Sequence, residues 1–179
     1  MFSAGDKRPR NSEESAIDGL GSILFQMGGQ PFDPDLFAES KSLHQQHIYL
    51  RAGDPEPYYW VGVIDWTLSF RANGLLRTKF NLSVRGRQLS DDAPLPSDLR
   101  EQYAREYGPA IEEGIDSMKH AIELRPDYDD AMAYLNLLYR RKADTVTTES
   151  EREQLMKMAD DLIDKVKEIK QKRAEASQP

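Results

Sequence analysis

The sequence predicts an all-α protein, and two observations carry that prediction. Apolar residues recur every three or four positions, the spacing that lines one face of a helix. Ile17, Leu20, Gly21 and Leu24 show it near the start. Leu155, Met158, Ala159, Leu162, Ile163, Val166 and Ile169 show it near the end. In addition, helix starts are marked by capping side chains with acids in the first turn, at residues 11–14 (NSEE) and 148–151 (TESE). The second of these has capping-box spacing.

Taken in order, a first helix begins at residues 11–14 and is broken by MGGQPFDP at 27–34, where glycine and proline interrupt it. A second helix over 34–50 puts Phe37, Leu43, His44 and His47 on one face. Gly53, Asp54 and Pro55 form the next turn, and Pro57 is tolerated in the first turn of a helix. Residues 58–70 (YYWVGVIDWTLSF) are rich in β-branched and aromatic residues, which local propensity would allow as a strand. The spacing of Tyr58, Val61, Gly62 and Asp65 favours a helix. Residues 71–97 contain Asn73-Gly74, Arg85-Gly86-Arg87 and Pro94-Leu95-Pro96. They read as a long connection with a short helical or extended piece at 75–84. A helix over 97–124 follows, kinked or split at Gly108-Pro109. Another covers 128–144. The last opens at 148–151 and ends in lysines that suit the negative end of its dipole. Residues 1–13 are expected to be a flexible N-terminus and 170–179 a tail. This makes six or seven helices.

The chain has 179 residues, enough for one core, with 39% apolar and 31% charged residues. A net charge of -7 argues against a general nucleic-acid binder. With no cysteine, disulfides, thiolate metal sites and cysteine nucleophiles are excluded. No apolar run nears the roughly 18 residues of a membrane span. The start, MFSAGDKRPRN, lacks the apolar core of a signal peptide. The expectation is a cytoplasmic chain, or a periplasmic one if a longer precursor carries an export signal.

Two halves of one pattern meet near residue 126. Gly114-x3-Met118, Ala121 and Pro126 come first, then Met132-x2-Leu135-Asn136-x2-Tyr139. This resembles the tetratricopeptide repeat, a 34-residue helix–turn–helix unit. Tyr58-x2-Val61-Gly62-x2-Asp65 and Ile17-x2-Leu20-Gly21-x2-Leu24 repeat the start of the pattern. Three units follow, about 14–53, 54–127 and 128–169, with an insertion at 67–98. Ala52 stands for the closing proline of the first unit, His47 for its alanine, and Asn136 for a usual glycine. The phrase PDYDDAMAYLNLLYRRKAD also resembles the last repeat of a bacterial group of these proteins. The resemblance implies a right-handed α-solenoid with a concave groove, lined by the first helix of each unit. Carried over by register, the groove residues are Tyr59, Val63 and Trp66, then Asp130, Ala133, Leu137, Arg140 and Arg141. The lysine and asparagine set that clamps a peptide C-terminus in some family members is missing. A protein or peptide partner held without catalysis is the implied function.

Candidate chemistry is sparse. Asp127, Asp129 and Asp130 read better as a helix start than as a metal or acid–base cluster. His44 and His47 have spacing that could hold a metal, but no third ligand lies beside them, so packing is the reading. His120 stands alone and is assigned no role. Ser69, Ser83 and Ser90 lack a nucleophile elbow, and Met27-Gly28-Gly29 is a turn rather than a phosphate loop. No cofactor or metal is expected. Residues 67–90 carry Arg71, Arg77, Lys79, Arg85 and Arg87 and no acid. They read as a basic arm for an acidic partner or, preferably, as a loop folded against the chain's own acids. Trp66 and Tyr59 equally suit packing beneath the insertion. Two other classes remain open. One is an enzyme or small-ligand binder using the Tyr58–Trp66 cluster and the basic insertion. The other is an oligomerising module that pairs through its last helix.

Overall fold

The computed structural model describes residues 11–84, 86, 88–91 and 93–177. Six helices and no strand are found among them: α1 (Ser12–Met27), α2 (Pro34–Leu50), α3 (Pro55–Ser83), α4 (Ser97–Leu124), α5 (Asp129–Ala143) and α6 (Glu149–Ala176). No helix among the described residues is long and apolar enough to cross a membrane.

Local chemistry explains most of the starts. The Glu14 N–H donates to Asn11 Oδ1 (2.8 Å) and the Asn11 N–H to Glu14 Oε2 (2.9 Å), a complete capping box on α1. Asp33 caps α2 and Asp54 caps α3, each followed by proline in the first turn. At α6 the Glu151 N–H donates to Thr148 Oγ1 (3.2 Å), and the Thr148 hydroxyl donates to Glu151 (2.6 Å). Helix α5 opens on Asp129 and Asp130 and closes on Arg140, Arg141 and Lys142, so its charges oppose its dipole at both ends. Asp127 and Asp129 also hold Arg173, near the end of α6, which draws part of the expected tail into the fold.

Two expectations are corrected. Helix α3 continues through Asn73-Gly74 to Ser83, so the irregular connection is only 84–96. The reason is tertiary. Asn73 Nδ2 donates to Asp144 Oδ2 of α5 (3.1 Å), and Ala72, Asn73 and Arg77 are buried. Long-range ties outweigh the local turn signal. Helix α4 passes through Gly108-Pro109 as one element, which corrects the expected split there and leaves the expected kink as it stood. Tyr103, Ile111, Ile115 and Met118 are buried on either side of the proline, and their packing outweighs the one backbone bond it forfeits.

Each helix packs on its neighbours in sequence: α1 on α2, α2 on α3, α3 on α4, α4 on α5 and α5 on α6. Helix α3 also packs on α5. The helix pairs close on small residues. A Cβ on Gly62 would lie 2.6 Å from Met118 Cε and 3.1 Å from the Gly114 carbonyl oxygen, so α3 and α4 approach where a side chain would not fit. A Cβ on Gly21 would meet His44 Nε2 at 2.8 Å between α1 and α2. His44 and His47 are fully buried. The His44 ring stacks on Trp60, and His47 Nδ1 lies 2.7 Å from Asp18 Oδ1.

Candidate functional site

Helices α3 and α5 lie side by side and run in the same direction, as their pairings show. The Tyr59 ring meets Tyr128 (5.2 Å between centroids) and Tyr134 (5.7 Å). Trp66 meets Tyr134 edge-on (5.2 Å). One turn on, Phe70 stacks on Trp66 (5.1 Å) and receives the Arg141 guanidinium at 5.8 Å. Asn73 then reaches Asp144. The result is a ladder of rings shared by two helices, with offset and edge-to-face geometries that suit aromatic quadrupoles.

The expected residues divide. Tyr59 and Trp66 are half-buried members of the ladder, and Arg141 joins it at one end. Ala133 and Leu137 are half-buried and Asp130 is exposed at the other end. Val63 is 3% exposed and belongs to the core instead of the face, because α3 is covered on two sides. Arg140 turns to α6, donating to Asp160 (2.6 Å) and to Asn136 Oδ1 (2.9 Å). Two ladder members were missed, Phe70 and Tyr134. Phe70 is 50% exposed. Both follow the same helical spacing: 59, 63, 66, 70 on α3 and 130, 134, 137, 141 on α5. Burial raises the Tyr59 and Tyr134 phenols above their usual range, with Asp130 adding to the effect, so both remain neutral.

Tyr58, one residue before Tyr59, faces away. Its ring contacts His120 of α4 (4.5 Å) and its hydroxyl donates to the Ala52 carbonyl (3.1 Å). Tyr58 and Trp66 therefore lie on different sides of α3 and form no common cluster.

The basic segment is also split. Arg77 is 3% exposed. It donates to Asn73 Oδ1 (2.7 Å) and to the carbonyls of Ser90 (2.7 Å) and Ala93 (2.9 Å), and it pairs with Asp144 (3.3 Å). It fastens the 84–96 connection to α3 and does not project as an arm. Asn81 helps, exchanging hydrogen bonds with the Leu89 backbone (2.8 and 3.0 Å). Arg71 donates to the Gly29 carbonyl (3.1 Å) and lies over the Phe32 ring (4.5 Å), tying α3 to the α1–α2 turn. Lys79 is exposed. Arg85 and Arg87 lie outside the described residues.

Two adjoining hollows open at the Arg141 end of the ladder. One, of about 210 Å³, is lined by Asp91, Arg140, Arg141, Asp144, Arg152 and Met156. The other, of about 270 Å³, is lined by Phe70, Asn73, Gly74, Arg77, Thr78, Asn81, Asp91 and Arg141. Beneath them Asp144 is 5% exposed. Burial pushes its carboxyl above the ordinary range, opposed by Arg141, Arg77 and Arg152. The site thus brings ring faces and guanidinium groups together beside two open hollows.

No family model matches the chain, and no curated protein does either.

Proposed function

We propose that this chain is a non-catalytic scaffold or adaptor, built as a right-handed α-solenoid of three tetratricopeptide-like units, that holds a peptide or protein segment on α3 and α5. The observation that carries the reading is the half-exposed ladder of Tyr59, Trp66, Phe70 and Tyr134, with Arg141 at its end. Aromatic and arginine side chains are the usual anchors of interfaces. Rigid helices hold these anchors in place before binding, which lowers the ordering cost of association. The order of the helix contacts supports the stacked-pair architecture, as do the small residues at Gly21, Gly62 and Gly114 where helices meet. The separation of Tyr58 from Trp66 counts against an active site made from both.

The test is a comparison of captured partners. The wild-type chain and a Trp66→Ala, Arg141→Ala double variant are exposed to native lysate, and the retained proteins are identified by mass spectrometry. The expected result is loss of the wild-type partners with unchanged helical circular dichroism. Full retention by the variant removes α3 and α5 as the binding face.

A further inference from the structure

We propose that the outer side of α1 is a docking surface for a second copy of this chain, the two α1 helices packing antiparallel across a twofold axis. This surface uses no residue of the α3–α5 face.

The spacing of exposed residues carries the inference. Helix α1 packs on α2, and its Phe25 reaches Trp60 of α3 at 5.5 Å. On the other side Glu13, Ala16, Leu20, Ile23 and Met27 follow one another at intervals that alternate between three and four residues. That is the spacing of the seam along which two helices pack as a coiled coil. All five are exposed, Leu20, Ile23 and Met27 at 49%, 53% and 58%. A Cβ on Gly19, beside the seam, would meet nothing within 4 Å, so the space over it is open. The chain is 31% charged, yet every exposed residue of α1 from Ser15 to Met27 is uncharged, since Asp18 turns inward to His47 (2.7 Å). A contiguous apolar strip of this kind marks an interaction surface.

Charge and shape select the occupant. Glu13 stands at one end of the seam. At the other end Arg71, also exposed, donates to the Gly29 carbonyl (3.1 Å) and lies over the Phe32 ring (4.5 Å), and neither group carries a charge. Within one chain these ends are about 24 Å apart, at 1.5 Å per residue from Glu13 to Gly29, so Glu13 and Arg71 do not pair with each other. An antiparallel second copy brings Glu13 of each copy to Arg71 of the other. It also sets Ala16 beside Met27 and Leu20 beside Ile23, a small residue against a long one and two branched residues against each other, on both sides of the axis alike. A parallel pair would instead put Glu13 against Glu13 and align the two helix dipoles. Two copies with a net charge of -7 repel over most of their surface, so the uncharged side of α1 is where they can approach.

The test is sedimentation velocity of the full chain from about 1 µM to about 500 µM, a span suited to a small interface. A monomer that converts to a dimer across it is expected. Ile23→Glu puts a charge into the seam and should raise the dissociation constant at least about tenfold, with helical circular dichroism unchanged. Glu13→Arg and Arg71→Glu should each weaken association about threefold or more, since each copy then meets a like charge. Mixed one to one, these two variants should associate as tightly as wild type, because both contacts of the mixed dimer then join opposite charges. Ile23→Glu decides alone if Arg71→Glu disturbs the fold. A monomer at every concentration overturns the proposal, as does a dimer that Ile23→Glu leaves intact or a mixture no tighter than its components. A monomer whose unfolding midpoint falls in Ile23→Glu assigns the seam to a segment of the same chain, which overturns it too. Trp66→Ala with Arg141→Ala should leave the dimer unchanged, so this proposal and the α3–α5 reading stand or fall separately.

Discussion

Helix α3 meets two of its three neighbours, α4 and α5, in opposite ways. Toward α4 it presents Gly62, whose absent side chain lets the Gly114 backbone and Met118 come close, and Asp65, which is fully enclosed. Toward α5 it presents Tyr59, Trp66 and Phe70, whose rings fill the gap and remain partly exposed. Glycines bring backbones together and leave no room for a ligand. Rings hold helices apart and leave edges and faces to solvent. One helix can therefore secure the fold on one side and present a surface on the other. Substitutions on the two sides should separate stability from binding.

The largest effect is expected where the two sides converge. Arg77 joins α3, α5 and the 84–96 connection through one buried guanidinium. Arg77→Met keeps the aliphatic stem but strands two carbonyls and leaves Asp144 with less compensation. A cost of about 3–5 kcal/mol in urea unfolding is expected, in line with breaking a buried pair. Amide exchange over 84–96 should lose its protection as well. A cost below about 1 kcal/mol would remove Arg77 as the fastening.

The next effect belongs to the closed side and depends on pH. Asp65 Oδ1 accepts from Lys41 (2.6 Å), and Lys41 also pairs with Glu113 of α4 (2.8 Å). The partners respond in different ways. Burial lowers the Lys41 pKa, but the two carboxylates outweigh it and the net shift is upward. Asp65 is more deeply enclosed, with Oδ2 making no hydrogen bond, so burial outweighs Lys41 and raises it from 3.8 to about 7, with Glu113 adding to the rise. Between these values the folded chain keeps a proton that the unfolded chain has released, so raising the pH favours unfolding. Stability should fall by about 2 kcal/mol between about pH 5 and pH 7, at roughly 1.4 kcal/mol per fully linked pH unit. Asp65→Asn should flatten that fall. An unchanged slope in the variant assigns the dependence to another group.

Gly62→Ala tests the close approach directly. Met118 can move its terminal methyl, but its Cγ at 2.7 Å and the Gly114 carbonyl oxygen at 3.1 Å cannot yield without a shift of the buried side chain and of the backbone. Overpacking costs about 1–3 kcal/mol, and alanine's better helix propensity returns up to about 1 kcal/mol. A net loss of about 1–2 kcal/mol is expected in thermal or urea unfolding. A gain in stability would show that the helices have room to separate.

Legibility in the sequence followed the range of the forces involved. The starts of α1 and α6 are marked in the sequence because caps act over two or three residues, whereas the caps Asp33 and Asp54 of α2 and α3 lie in stretches that read only as turns. The length of α3 was hidden because Asn73-Gly74 signals a turn locally, while the bond that overrides it joins Asn73 to Asp144 71 residues away. Register places Tyr59, Trp66 and Arg141 together, and the structure puts all three along the α3–α5 face. Phe70 and Tyr134 share that spacing but lay outside the positions carried over from the repeat pattern. Val63 was placed on the face because register alone does not show that α3 is covered on two sides. For Arg77 the preferred reading, a basic segment folded against the chain's own acids, agrees with its pair to Asp144, while composition says nothing of how deeply it is buried.

The smallest stability change is expected on the open side, at Phe70. Its ring is 50% exposed and rests on Trp66 and Arg141 instead of filling a core. Phe70→Ala removes one stacked pair and a distant cation–π contact, each worth about 1 kcal/mol or less at an exposed site. Its unfolding midpoint should therefore stay closer to wild type than that of Gly62→Ala, although phenylalanine loses many more atoms than glycine gains. Its affinity for a retained partner should drop, since the exposed half of the ring is the part a ligand would cover. The contrast is the decisive measurement: Gly62→Ala should lose stability and keep the affinity of its folded fraction, and Phe70→Ala should do the reverse. If Phe70→Ala instead unfolds the chain with no loss of affinity in the folded fraction, the ring ladder is packing beneath the 84–96 connection, and the open side of α3 is structural like the closed one.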